Sequence, residues 1–105
     1  LRDLAGMLRS FAYAADTATR DLAARLPESN RRIAEAATEW LLLTETEYLR
    51  AYEEAVAGSA VWVEDEASRA RLLRLHLLSK ALYEVNYEAS NRPDWIETPV
   101  RGVLS

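Results

Sequence analysis

The stretch Lys80-Ala81-Leu82-Tyr83-Glu84-Val85-Asn86-Tyr87-Glu88-Ala89-Ser90-Asn91-Arg92-Pro93-Asp94-Trp95 decides how the rest of this chain is read. It has the pattern of the last turns of a helix followed by a sharp stop. At about 100° per residue, Leu78, Ala81, Leu82, Val85 and Ala89 fall on one side. Lys80, Tyr83, Glu84, Tyr87, Glu88 and Asn91 fall on the other, within an arc of about 140°. An ordinary surface helix has one apolar face and one charged face toward water. Here the second face carries two tyrosines and two glutamates, each pair one turn apart, with His76 above them. Tyrosine combines a large apolar body with a polar tip, which suits a packed or ligand-facing position. The helix is therefore expected to pack on two sides, one against its own bundle and one against something else.

Upstream, the same helical period recurs twice. A first helix is expected from about Asp3 to Arg25, with Leu4, Met7, Leu8, Phe11, Ala14, Ala15, Ala18, Leu22 and Leu26 on its stripe. Pro27 ends it, and Ser29 or Asn30 is positioned to cap the next. A second helix runs from about Arg31 to Ala57, with Ile33, Ala37, Trp40, Leu41, Thr44, Tyr48, Tyr52 and Val56 in line. Gly58 is its terminator. Val61 and Trp62, in the connector, are expected to be pinned against the bundle. The third helix spans about Asp65 to Ser90, and Leu72 to Leu78 is apolar nearly all round, which predicts burial on more than one side. Asn91 reads as a left-handed cap, Pro93 as the stop, and Thr98-Pro99 as the N-cap and first residue of a short helix to Leu104. The fold class is all-α: three long antiparallel helices plus a short C-terminal helix, in one helical unit over residues 1–105.

Composition narrows the function classes. Half of the 105 residues are hydrophobic and 29% are charged, a globular balance. The net charge is -4, with both signs interspersed and no basic block, so no nucleic-acid partner is expected. The apolar runs are too short for a membrane span. Zero cysteines exclude disulfides and thiolate zinc sites and fit a reducing compartment, so a cytoplasmic location is expected. The chain begins at Leu1 rather than Met and enters a helical pattern at once, which suggests a piece of something larger.

No phosphate-cradling glycine loop, Ser-His-Asp order or catalytic Asp loop occurs in the sequence, so no catalytic residue is assigned within it. His76 has no second ligand at metal spacing, and no metal site is expected. Glu84 and Glu88 share one direction and suit sugar hydroxyls, a metal or a basic partner; the plainer alternative is an ion-paired face such as Lys80 with Glu84. Arg9, Ser10 and Tyr13 share the exposed side of the first helix, where they could reach a ligand; the plainer expectation is placement at the surface. Asn91-Arg92-Pro93-Asp94-Trp95 combines a cap, a stop, a forked cation and a large aromatic. Its structural role is a locked corner, with Trp95 over the helix and Arg92 paired to a carboxylate.

Two stretches carry a family resemblance. Asp3-Leu-Ala-Gly-Met-Leu-Arg-Ser-Phe-Ala-Tyr-Ala-Ala15 resembles a segment of bacterial maltokinases. Lys80 to Trp95, followed by Thr98-Pro-Val-Arg-Gly-Val-Leu104, resembles their C-terminal segment, in the same order and spacing. Together they cover about a third of the chain. Ser79, Ser90 and Ala12 depart from the family pattern, which has an acid, an asparagine and a polar residue there.

The resemblance implies the C-terminal end of the C-lobe of an aminoglycoside-phosphotransferase-like kinase fold. It implies a parent that transfers the γ-phosphate of ATP to maltose, giving maltose 1-phosphate for trehalose and α-glucan metabolism, either as a separate maltokinase or fused behind trehalose synthase. ATP and magnesium would be held by the remainder of the kinase domain, upstream, and the fragment alone would not be catalytic. The substrate-binding residues carried over are Tyr83, Glu84, Tyr87, Glu88, Asn91 and Arg92, on the acceptor-sugar side. The rival reading of the same residues is a non-catalytic helical interaction module that docks a partner protein or domain. Either way, the two-sided helix leads us to expect self-association of the isolated chain.

Overall fold

The computed structural model describes residues 1–104. Four helices account for nearly all of it: α1 (Arg2–Arg25), α2 (Asn30–Val56), α3 (Glu66–Asn91) and α4 (Glu97–Leu104). Single 3₁₀ turns, Pro27–Ser29 and Pro93–Trp95, join α1 to α2 and α3 to α4. There is no strand among the described residues, and none of their helices is long and apolar enough to cross a membrane.

The two proline corners share one design. Leu26 and Arg92 close α1 and α3 with φ of -132° and -142°, out of the helical region. A following proline disfavours the α conformation in the residue before it, so each helix stops where the sequence places the proline. The same constraint corrects the expectation for Asn91. It is the last residue of α3, no non-glycine residue has positive φ among those described, and its Nδ2 donates to the Tyr87 carbonyl at 2.9 Å. Gly58, with φ 79°, does adopt the left-handed conformation just past the end of α2. The start of α3 is capped by Asp65, whose Oδ2 accepts from the Ser68 amide at 2.9 Å, a contact worth about 1 kcal/mol. Neither Ser29 nor Asn30 makes a side-chain cap on α2. Thr98 is not an N-cap either, because Trp95 and Ile96 carry the chain directly into α4; its side chain is buried inside that helix instead.

The helices form an open bundle with α1 at its centre. α1 packs on α2 at one side and on α3 at the other, α3 packs on α4, and α2 and α3 scarcely meet. α2 returns antiparallel to α1, with Phe11 edge-on to Tyr48 at 5.3 Å between ring centres. α3 then runs parallel to α1, so that residues 9, 13 and 20 of one face residues 84, 88 and 94 of the other. The unit measures 48 × 30 × 18 Å.

The apolar core is small: Leu4, Ala5, Leu8, Ala15, Ala81 and Pro99 are its buried members. At about 1.5–3 kcal/mol for a large buried side chain, such a core contributes little for a unit of this size. The stripe of α2 faces α1 as expected but stays half-buried, and Trp40 is exposed. The all-round burial expected for Leu72 to Leu78 is not found, since Leu75 and Leu78 face outward; α3 has α1 and α4 on its flanks and nothing on that face. Val61 is exposed too, whereas Trp62 is half-buried between Tyr52 and the Arg69 guanidinium, 4.2 Å from the ring centre.

Candidate functional site

What occupies the interior instead of more leucine is a polar cluster. Arg9, Tyr13, Asp16 and Arg20 recur at helical spacing on one face of α1. Glu84 and Glu88 recur at the same spacing on α3, and the parallel register brings the two ladders together rung by rung. Arg9 Nε donates to Glu84 Oε1 at 2.7 Å. The Tyr13 hydroxyl donates to Glu88 Oε2 at 3.3 Å. One turn on, Arg92 closes on Glu88 with two bonds, Nε to Oε1 at 3.1 Å and Nη2 to Oε2 at 3.0 Å. A parallel two-bond fork is the geometry in which guanidinium and carboxylate fit best.

Burial gives these contacts their weight. Glu88 is 0% exposed and Arg9 8%. A charge taken out of water costs several kcal/mol unless partners replace its hydration. Glu88 has three donors, which is what a buried carboxylate requires. The electrostatics follow. The Tyr13 phenol is pushed up to about 12, first by burial and then by the Glu84 and Glu88 carboxylates beside it. Glu45 of α2 is raised by its own burial, with Arg9 pulling it the other way. Arg92 is raised by its bond to Glu88.

The corner residues extend the cluster. Trp95 lies between two guanidinium groups, Arg20 at 4.9 Å and Arg92 at 4.6 Å from its ring centre. Arg20 Nη1 also donates to the Asp94 carbonyl at 3.2 Å. Across the gap from α4, Arg101 Nη2 reaches Asp16 Oδ2 at 2.6 Å. Gly102 passes so close that a Cβ there would lie 2.5 Å from Arg9 Nη1. Arg9 Nη2 and Thr98 Oγ1 are buried with no hydrogen-bond partner among the described residues.

The six sequence-derived site residues therefore divide. Glu84 and Glu88 turn inward to α1, away from solvent. Tyr83 and Tyr87, 61% and 46% exposed, face outward with Lys80 Nζ 5.0 Å from the centre of the Tyr83 ring. Asn91 sits exposed at the end of α3, and Arg92 is half-exposed between Glu88 and Trp95. The Lys80–Glu84 pair is replaced by Arg9–Glu84. Arg9 and Tyr13, expected at the surface of α1, are respectively buried and half-buried. The signal that points to them is a matched spacing, Arg9 to Tyr13 against Glu84 to Glu88, both four residues apart.

Chemically, the cluster is built to hold rather than to react. Both carboxylates carry guanidinium partners, and the two outward tyrosines form an aromatic ledge one turn long. Among the described residues, no three His, Cys, Asp or Glu side chains converge as a metal-binding group. No family model matches this chain, and no solved structure matches it.

Proposed function

We propose that this chain is the C-terminal helical part of a maltokinase-like C-lobe and shapes the acceptor-sugar side of a kinase acting on maltose. The observation that carries the proposal is spatial. The two stretches that resemble maltokinases lie 75 positions apart at the Arg9–Glu84 and Tyr13–Glu88 contacts, and they form one cluster. The third matching segment joins them through Arg101–Asp16 and the Gly102–Arg9 approach. On this reading the inward side chains lock the corner and hold Tyr83 and Tyr87 as a stacking ledge for a sugar ring. Stacking area beside a few polar groups is what disaccharide recognition needs. ATP and magnesium would be bound by the rest of the kinase domain, which would also supply the catalytic groups.

The test is phosphate transfer from ATP to maltose, assayed on this chain and on the full-length product of its reading frame. Activity is expected only in the longer product. In that product, Tyr87→Ala should raise the KM for maltose about tenfold and leave the KM for ATP unchanged, the signature of lost ground-state sugar binding. Unchanged maltose kinetics would overturn the ledge assignment.

A second reading, a helical module docking a partner protein or domain, is favoured by the outer face of α2, where Leu42 and Leu43 are 64% and 63% exposed. Excess free maltose separates the two, because a docking face of leucines is indifferent to sugar.

A further inference from the structure

The side of α2 turned away from α1 is symmetric about its own middle. Ile33, Ala37, Thr44 and Tyr48 are half-buried toward α1, with Tyr48 against Phe11. On the opposite side, a turn of about 100° per residue brings exposed residues into one arc of about 100°. They pair off at equal distances from the midpoint between Leu42 and Leu43: Leu42 with Leu43, Glu39 with Thr46, Glu35 with Arg50, and Arg32 with Glu53. We propose that a second copy of this chain docks on this face, through an antiparallel pair of α2 helices whose twofold axis passes between Leu42 and Leu43. The inference rests on the charge pattern of α2 and does not depend on the maltokinase reading.

A twofold axis at that point sets each residue level with its counterpart in the other copy. Arg32 then stands level with Glu53 of the second copy, and this pairing occurs at both ends of the interface. Glu35 is level with Arg50, and Glu39 with an uncharged threonine, so no like charges stand level. A parallel pairing would instead set Arg32 on Arg32 and Glu53 on Glu53, and juxtaposed like charges disfavour an interface. Glu35 and Arg50 also bond within their own helix, Glu35 to Arg31 at 3.3 Å, and Arg50 to Glu54 at 2.7 Å and to Glu47. Arg32 and Glu53 therefore carry most of the choice of orientation. An unrelated partner helix would need the same charges in reverse order, whereas a second copy supplies them by symmetry.

The centre of the pair is apolar. Leu42 and Leu43, 64% and 63% exposed in the single chain, would meet their copies there. α2 has 27 residues and is about 40 Å long, so the leucines and both charged ends engage together. One helix pair lies at the small end of interface sizes, so the dimer should form at about micromolar concentrations and above, and weaken with added salt.

The experiment is sedimentation of the full 105-residue chain over a range of concentrations, with helicity followed by circular dichroism. A monomer–dimer equilibrium is expected. Arg32→Glu and Glu53→Arg should each weaken the dimer about tenfold at unchanged helicity, because each sets like charges level. An equimolar mixture of these two variants should dimerise like the unaltered chain, since every such position regains opposite charges. Introduced cysteines read the orientation, because the chain has none of its own. Under mild oxidation, Glu39→Cys mixed with Thr46→Cys should form a mixed disulfide. Either variant alone should not, since its own copy lies about 10 Å away along the axis, beyond disulfide reach. A parallel pair would cross-link each variant to itself. A monomer at every concentration would overturn the proposal. So would undiminished association of both charge variants, or self-cross-linking in preference to the mixed disulfide.

Discussion

Gly102 of α4 lies against the guanidinium of Arg9 of α1, where an added Cβ would stand 2.5 Å from Nη1 and 2.7 Å from Cζ. Arg9 is the far end of a flexible side chain, but it cannot swing away freely because its Nε is held by Glu84 at 2.7 Å and its surroundings are buried. Gly102→Ala should therefore displace the ion pair or lift α4, lowering stability by about 1–3 kcal/mol, the cost of a compromised buried polar contact. Chemical denaturation checks this. An unchanged midpoint would mean that α4 does not press on Arg9 in solution.

Glu88 is the fully buried member of the cluster. Glu88→Ala leaves the Tyr13 hydroxyl without its acceptor and the Arg92 guanidinium without its carboxylate, and the loss should reach about 3 kcal/mol. Glu88→Gln keeps the shape and one acceptor oxygen, so it should cost less. The order of the two urea midpoints is the readout, and equal midpoints would contradict a charge-dependent lock.

Tyr13 gives the cluster a pH limit. Its phenol is raised to about 12 by burial and by the neighbouring glutamates, against about 10 in an unfolded chain. The unfolded state thus ionises first. The stabilisation is fully present below pH of about 10 and is lost as pH rises toward 12. Phenolate absorbance should show one late step that disappears in Tyr13→Phe, and that variant should lose less stability than the parent between these two pH values.

The outer surface of α2 predicts association. Leu42 and Leu43 are exposed on α2, whose main packing partner in the bundle is α1. Large apolar side chains left exposed in this way favour self-association of an isolated chain. Sedimentation should show a concentration-dependent shift above monomer, reduced in the double variant Leu42→Glu, Leu43→Glu. A monomer at every concentration would show that the face is tolerated in water.

The sequence by itself determined the helices, because their causes are local. Pro27 and Pro93 stop α1 and α3 through the residue before each, Gly58 supplies the positive φ after α2, and Asp65 caps α3 three residues ahead of Ser68. The periodicity also placed Arg92 beside a carboxylate and Trp95 at the corner. It did not determine which arc of α3 faces inward. On the wheel, Glu84 and Glu88 share an arc with Tyr83 and Tyr87, and their charge argues for water. Tertiary structure decided otherwise by bringing Arg9 and Tyr13 from the far end of the chain to replace the lost hydration. Leu75, Leu78 and Leu82 were left outside in exchange. Burial of a carboxylate depends on donors contributed by another helix, and no local periodicity contains that information.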